Sequence, residues 1–175
     1  MQASGALVAL VLAALAVSAA AQTPKVLKGD EITEEALLEA LVPRPVMRSI
    51  RPGGGPATAE KPPALGLMIV FATNSTELTP DGKQKLDIVG RALNADKLVA
   101  FTFQVEGHAD PRGPSDWNQR LSQGRAEAVR QYLVQKQNVG PERLKPIGKG
   151  DREPLNKQEP AAPENRRVMF VTNVP

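Results

Sequence analysis

A short apolar strand and a long amphipathic helix, separated by a polar turn, dominate the second half of the sequence. Residues 99–105 (VAFTFQV) alternate in part between apolar and polar side chains, which indicates a strand. Residues 118–136 predict a long helix that ends at Asn138 or Gly140. Its inward face consists of four side chains: Leu121, Val129, Tyr132 and Leu133. A strand followed by such a helix favours a sheet with helices packed on it.

Three further strands and a second helix complete the prediction. Residues 65–71 predict a buried strand, and residues 144–147 and 167–172 predict two more. Thr79 caps the second helix, with Pro80 at its first position. The apolar face of that helix is Leu86, Val89 and Leu93. The order β-α-β-α-β-β predicts an α/β (α+β) fold, a two-layer sandwich of a mixed sheet with helices on one face.

The composition divides the chain into four segments. They are a signal peptide over 1–21, an N-terminal arm with a short helix over 22–42, a Pro/Gly-rich linker over 43–64 and a compact domain over 65–175. Residues 6–21 are apolar or small throughout, which is typical of a secretory signal and short for a membrane span. Cleavage is expected before Gln22. Because residues 1–5 contain no Lys or Arg, an uncleaved anchor stays an alternative.

The short helix of the arm is predicted over residues 30–41 (DEITEEALLEAL). Its apolar stripe consists of Ile32, Leu37, Leu38 and Leu41. A helix of this length is not stable by itself in water. It therefore packs on the compact domain or docks onto a partner, and packing is favoured.

The residue content excludes several classes of function. The chain has no Cys, which excludes disulfides, thiolate metal sites and a Cys nucleophile. His108 is the only histidine and nothing orders a catalytic triad around it, so no metal, no cofactor and no enzymatic activity are expected. The net charge is +3, the basic residues are spread along the chain, and aromatics are scarce. A nucleic acid is therefore not an expected partner.

One acid and one arginine stand out as candidates for a binding site. Asp110 ends the apolar strand, and ligand sites in open α/β sheets gather at such strand ends. Arg125 lies four residues after Leu121 and four before Val129, which places it on the apolar face of the long helix. A guanidinium there needs an anionic partner. The pair can bind the ammonium and carboxylate of a small ligand, or form a structural salt bridge.

Several motifs of the compact domain occur together in one family. The main motif is Gly107-His108-Ala109-Asp110, then Asn118, Leu121-Ser122, Arg125-Ala126, Val129 and Tyr132-Leu133. Residues 69–78 (IVFATNSTEL) resemble the family's first strand and loop, and residues 148–151 and 165–168 resemble its closing motifs. On these residues the chain resembles the OmpA-like (OmpA/MotB C-terminal) peptidoglycan-binding domains. The loop 110–113 is most similar to the branch of peptidoglycan-associated lipoproteins.

The resemblance implies non-covalent binding of peptidoglycan through the meso-diaminopimelate residue of its stem peptide. Asp110 is expected to bind the ammonium of that residue and Arg125 its carboxylate. The further ligand-binding residues that the resemblance implies are Thr73, Asn74, Ser75 and Asn118. Arg166 and Arg167 are expected to support the site, although strand alternation points them to opposite faces.

Two departures from the family pattern bear on these expectations. Gly124 stands where the family usually carries an arginine, and the missing Cys removes a lipid anchor. The expected protein is exported to the periplasm, is associated with the cell wall or outer membrane, and contributes to envelope integrity or anchoring. Peptidoglycan is the expected partner, and the N-terminal arm is the candidate contact for an envelope protein. A periplasmic protein–protein scaffold of the same fold and an inner-membrane-anchored tether to the cell wall stay alternatives.

Overall fold

In the part of the chain that the structure describes, a five-stranded mixed sheet and three α-helices form the body of the protein. The computed structural model describes residues 24–43, 62–72 and 74–174. The predicted signal peptide, most of the predicted linker and Thr73 lie outside the described residues. The strands are β1 (Lys25–Leu27), β2 (Ala64–Leu67), β3 (Thr102–His108), β4 (Leu144–Gly150) and β5 (Val168–Asn173). The helices are α1 (Glu34–Leu41), α2 (Pro80–Asn94) and α3 (Ser115–Gln137).

The sheet has the strand order β1-β2-β5-β3-β4. The two edge pairs, β1 with β2 and β3 with β4, are parallel, whereas β5 pairs antiparallel with both β2 and β3. From β2 onward the elements follow in the order β-α-β-α-β-β, which confirms the predicted fold class. Before this series the structure adds strand β1, and the predicted arm helix forms as α1, four residues later than its predicted start.

Helix α3 packs directly on the parallel pair β3 and β4. Gly107 and Gly148 are register partners in these strands, and both face the helix. A Cβ atom at Gly107 would collide with the carbonyl oxygen of Ser122, and one at Gly148 would lie 2.6 Å from the backbone nitrogen of Gln123. Only glycine allows the helix backbone this close to the sheet. The close approach determines how α3 lies above the end of β3.

The helix termini follow the capping signals of the sequence. Thr79 accepts a hydrogen bond from the backbone N–H of Gly82 at 3.1 Å and so caps α2. Asn138 ends α3 in the left-handed conformation, with φ of 55°. The second predicted strand forms three residues later than expected, over Thr102–His108, because the chain at residues 95–100 turns after α2 before it enters the sheet.

The N-terminal arm is part of the same hydrophobic core. Strand β1 extends the sheet, and Leu27, Leu37 and Leu41 are at most 1% exposed. The hydroxyl of Thr172 in β5 donates to the carbonyl oxygen of Leu41 at 2.8 Å. The arm helix therefore packs on the compact domain, as the sequence favours, and shares its core with residues 65–174.

Replacing Leu41 by alanine should destabilise the whole protein, although residue 41 lies before the linker. Deletion of a fully buried leucine side chain costs about 2–5 kcal/mol of unfolding free energy. Urea denaturation of Leu41→Ala measures the change. Glu39→Ala, at an exposed position of the same helix, is the control and should change stability by less than about 0.5 kcal/mol. Equal stabilities of the two variants would contradict a shared core.

Candidate functional site

The polar turn after β3 is held in place by backbone and side-chain hydrogen bonds. The N–H of His108 donates to the carbonyl of Arg167 at 2.9 Å, and the N–H of Ala109 donates to Gly150 at 2.8 Å. The amide nitrogen of Asn118, a buried residue at the start of α3, donates to the carbonyl oxygen of Asp110 at 3.0 Å. These contacts connect the turn to β5, β4 and α3. The position of Asp110 is therefore determined by three separate elements.

The carboxylate of Asp110 is surrounded by two arginines. Arg112 binds it with both Nε, at 3.0 Å from Oδ1, and Nη2, at 2.7 Å from Oδ2. The Nη1 of Arg166 donates to the same Oδ2 at 2.8 Å. Burial by itself raises the pKa of Asp110, but the hydrogen bonds from Arg112 and Arg166 outweigh burial and lower this pKa to about 2. Asp110 is therefore ionised at neutral pH.

Arg125 does not form an ion pair with Asp110. Its Nε donates to the backbone carbonyl of Ser75 at 3.0 Å, and its guanidinium lies over the ring of Phe71, 4.9 Å from the ring centre. In the described part of the chain, no carboxylate lies within ion-pair distance of this guanidinium. Burial lowers the pKa of Arg125, the positive charge of Arg166 lowers it further, and Asp110 opposes both. The structural salt bridge that the spacing also allowed does not form.

A cavity of about 240 Å³ lies beside Arg125. Arg125, Arg166 and Arg167 line it together with Phe71 and His108. Asp110 does not line the cavity and is connected to it through the hydrogen bond that Arg166 donates. The cavity thus combines three guanidinium groups with an apolar wall. Such an arrangement is suited to an anionic group next to an aliphatic chain.

The remaining predicted site residues occupy different positions. Asn118 is engaged by the carbonyl of Asp110 and by Asp151, whose Oδ2 lies 3.1 Å from its Nδ2, so its amide nitrogen supports the turn. Asn74 is exposed, with φ of 51° in the left-handed region. Ser75 supplies the carbonyl that accepts from Arg125. Their roles in ligand binding stay predictions.

Two buried polar side chains line the cavity: His108, to which the sequence analysis gave no role in ligand binding, and Arg167, which it named as a supporting residue. His108 is 2% exposed and Arg167 is 5% exposed. Neither ring nitrogen of His108, and neither Nε nor Nη1 of Arg167, has a hydrogen-bond partner among the described residues. Burial lowers the pKa of His108, and the carboxylate of Glu106, 3.7 Å away, offsets this only in part. Arg166 and Arg167 both line the cavity, so the expectation that strand alternation points them to opposite faces does not hold. The reason is that β5 begins only at Val168, and the two arginines precede it.

The sequence analysis named Arg166 as a supporting residue but missed Arg112, the other arginine partner of Asp110. The sequence did contain one signal for Arg112, since an aspartate side chain in a tight turn often accepts from the backbone N–H two residues later. In the structure the N–H of Arg112 donates to Oδ1 of Asp110 at 3.1 Å. Such a turn indicates the backbone contact. The additional contact of the guanidinium depends on the side-chain conformation, which spacing alone does not predict.

The departure at Gly124 has a packing consequence. A Cβ atom at position 124 would lie 2.7 Å from the methyl carbon of Thr76, so glycine lets the loop that carries Thr76 lie close to α3. The neighbouring Ser75 of that loop is the acceptor for Arg125. Gly124 therefore influences how closely this loop packs on α3, and with it the hydrogen bond from Arg125 to Ser75.

Two other kinds of feature were searched for in the described residues. No helix there has the length and apolar character needed to cross a bilayer. No group of three His, Asp or Glu side chains there is arranged to hold a metal ion.

Comparison with known proteins identifies similar sequences and folds. A sequence profile described as the OmpA family matches residues 70–167. The outer membrane protein A of Bordetella avium is 33% identical over 120 residues, 62% of this chain and 59% of that protein. A peptidoglycan-associated lipoprotein of Pseudomonas putida is 33% identical over 102 residues, 56% of this chain and 58% of that protein. The chain thus spans little more than half the length of these two relatives.

A solved structure agrees with the fold described above. The peptidoglycan-associated lipoprotein of Burkholderia pseudomallei superposes with a TM-score of 0.51 and 26% sequence identity. The match covers 66% of this chain and 92% of that structure.

The stabilising effect of Asp110 should disappear in acid. Its pKa is about 2 in the folded protein and 3.8 without these contacts, so its contribution is present above pH 4 and is lost as the pH falls towards 2. The difference in unfolding free energy between the wild-type protein and Asp110→Asn should therefore shrink by roughly 1–2 kcal/mol between pH 6 and pH 2. Denaturant titrations across this range measure it. Asp116→Asn, at an exposed acid of α3, is the control, and a difference that does not vary with pH would contradict the assignment.

Alanine at position 124 should stabilise α3 once the methyl group of Thr76 is removed. Alanine is about 1 kcal/mol more favourable than glycine in a helix interior, but its Cβ meets that methyl group. Gly124→Ala alone should therefore gain less than Gly124→Ala measured in a Thr76→Ser background. Thermal unfolding of the four proteins of this double-mutant cycle tests the contact, and purely additive effects would contradict it.

Proposed function

Because the chain belongs to the OmpA family, we propose that it binds peptidoglycan non-covalently through the meso-diaminopimelate residue of the stem peptide. The free end of that residue carries an ammonium and a carboxylate on one carbon atom. In the proposed complex Arg125 binds the carboxylate and Asp110 binds the ammonium. No bond is made or broken, and the role is binding.

The observation that carries the proposal is the state of Arg125. This half-buried guanidinium lines the cavity, and its only hydrogen bond in the described part of the chain uses Nε. Both terminal nitrogens are left to bind a planar anion in a bidentate manner. A buried cation without an anionic partner is costly, and a ligand carboxylate removes that cost.

The second half of the site has the opposite charge. Asp110 is ionised, and its negative charge acts on Arg125 by raising the pKa of that guanidinium. A zwitterionic amino acid end matches one anion and one cation at short distance. A stem peptide with lysine in place of diaminopimelate keeps the ammonium but has no carboxylate for Arg125. The site therefore favours the diaminopimelate type.

The relatives support the same class of ligand and a place in the cell envelope. One sequence relative and one solved structure are named peptidoglycan-associated lipoproteins, and another relative is named an outer membrane protein. We propose that residues 1–21 direct export and that residues 43–64 lie between the arm and the site-bearing domain. The apolar side of α1 is used inside the core, so an envelope partner of the arm would contact its exposed acidic residues, such as Glu35 and Glu39.

Replacing Arg125 by alanine should abolish most of the binding. A charge-assisted hydrogen bond to a ligand contributes about 1.5–3 kcal/mol, which corresponds to a loss of about 10- to 100-fold in affinity. Titration with a tripeptide that ends in meso-diaminopimelate measures the affinity, and sedimentation with insoluble peptidoglycan measures binding to the polymer. Arg125→Lys keeps the charge without the planar fork and should bind with intermediate affinity.

Arg120→Ala is the matched control, because Arg120 is an exposed arginine of the same helix. It removes one positive charge without touching the cavity and should bind like the wild-type protein. If Arg125→Ala and Arg120→Ala bind the tripeptide equally well, the site is elsewhere. If the wild-type protein shows no saturable binding at all, the scaffold alternative of the same fold is favoured instead.

A further inference from the structure

The carboxylate of Asp110 has no free acceptor position in this structure. Its Oδ1 accepts from the backbone N–H of Arg112 at 3.1 Å and from Nε of Arg112 at 3.0 Å. Its Oδ2 accepts from Nη2 of Arg112 at 2.7 Å and from Nη1 of Arg166 at 2.8 Å. A carboxylate offers about four lone-pair positions, and all of them are used. A ligand ammonium can bind Asp110 only if one of these donors leaves.

We propose that Arg112 is an intramolecular competitor, whose guanidinium occupies the ammonium position of the site in the free protein and leaves when the ligand binds. This inference rests on the proposed function, since it concerns the ammonium group that Asp110 would bind. It assigns Arg112 a role in setting the affinity.

Arg112 is the donor that can leave at least cost. Its side chain is 65% exposed, whereas that of Arg166 is 39% exposed and that of Asp110 only 6%. The guanidinium of Arg112 has no other hydrogen-bond partner among the described residues, so it moves directly into water. Arg166, by contrast, also lines the cavity with Arg125 and has a second acceptor, the carbonyl of Ala161 at 3.4 Å.

The loop that carries Arg112 is built for such a movement of the side chain. Arg112 lies between Pro111 and Gly113, and Gly113 has φ of 102° with open space around its α-carbon. The backbone N–H of Arg112 contacts Asp110 independently of the side chain. The turn can therefore keep its shape when the guanidinium leaves. Release of the side chain frees one acceptor position on Oδ1 and one on Oδ2.

Competition of this kind lowers the affinity for every ligand that needs Asp110. The apparent dissociation constant rises in inverse proportion to the fraction of molecules in which Arg112 has left. The affinity of a ligand that binds only Arg125 is not lowered by this competition. The two classes of ligand therefore respond differently to removal of Arg112, which makes the inference testable.

Arg112→Ala should bind the tripeptide ending in meso-diaminopimelate about three- to tenfold more tightly than the wild-type protein. The same tripeptide with the free amino group of diaminopimelate acetylated should bind both proteins equally, because it has no ammonium for Asp110. Arg112→Lys, which exchanges a bidentate donor for a single charge, should lie between them. Isothermal titration calorimetry measures the affinity of the wild-type protein, Arg112→Ala and Arg112→Lys for each tripeptide. Thermal unfolding first checks that both variants are folded.

Arg152→Ala is the matched control, an exposed arginine in the turn after β4 whose removal changes the net charge equally. It should not tighten binding. The Nε–H resonance of Arg112 provides a direct readout, since it should show a hydrogen bond in the free wild-type protein and lose it on saturation with the tripeptide. An unchanged resonance overturns the inference.

The outcomes separate this inference from the proposed function. If the wild-type protein binds and Arg112→Ala binds equally or more weakly, Arg112 is inert or contacts the ligand, and competition is wrong. If neither protein binds the tripeptide, the proposed function fails and the inference fails with it. Tighter binding of both the free and the acetylated tripeptide by Arg112→Ala would indicate a general charge or packing effect and also overturn it.

Discussion

The packing of α3 on two glycines determines where the charges of the candidate site lie. Gly107 and Gly148 sit opposite each other in neighbouring parallel strands, and the backbone of α3 rests on them. No larger residue fits at these positions without moving the helix. With α3 this close to the sheet, Arg125 lines the same cavity as Arg166, which donates a hydrogen bond to Asp110 after the end of β3. The binding geometry thus depends on a close backbone contact that itself carries no charge.

The two halves of the site differ in how their charges are satisfied. Asp110 has two arginine partners and a saturated set of acceptor positions, whereas Arg125 has a carbonyl, an aromatic ring and an open cavity. The protein's own arginines therefore occupy the acceptor positions of Asp110, whereas the terminal nitrogens of Arg125 are available to a ligand. The cationic half can bind an anion directly, but the anionic half requires an exchange of partners. If the protein binds peptidoglycan as proposed, such an exchange would limit the affinity of each contact and so keep attachment to the polymer reversible.

The order and type of the elements could be predicted because they depend on local patterns. The Thr79–Pro80 cap formed as predicted. The predicted stripe of α3 formed in part, because Val129 and Leu133 are buried whereas Leu121 and Tyr132 are only half-buried. The first and last residues of β2 and β3 were predicted less accurately. They depend on pairing with β5, which lies far away in the sequence. The place of β1 in the sheet also needed the fold, because three residues carry little signal of their own.

The sequence alone determined that an acid ends a strand, that an arginine lies on the inner face of the next helix, and that the surrounding motifs are those of one family. The first two properties follow from periodicity and residue type, and the third follows from the resemblance of the motifs to those of the family. Tertiary structure decided which partners the two charges take. Arg166 donates to Asp110, from which it is separated by 56 positions in the sequence, and Arg125 donates to Ser75, from which it is separated by 50. The guanidinium of Arg112 contacts Asp110 only in a suitable side-chain conformation. Such choices depend on distances of a few ångströms between segments remote in sequence, and no local pattern encodes them.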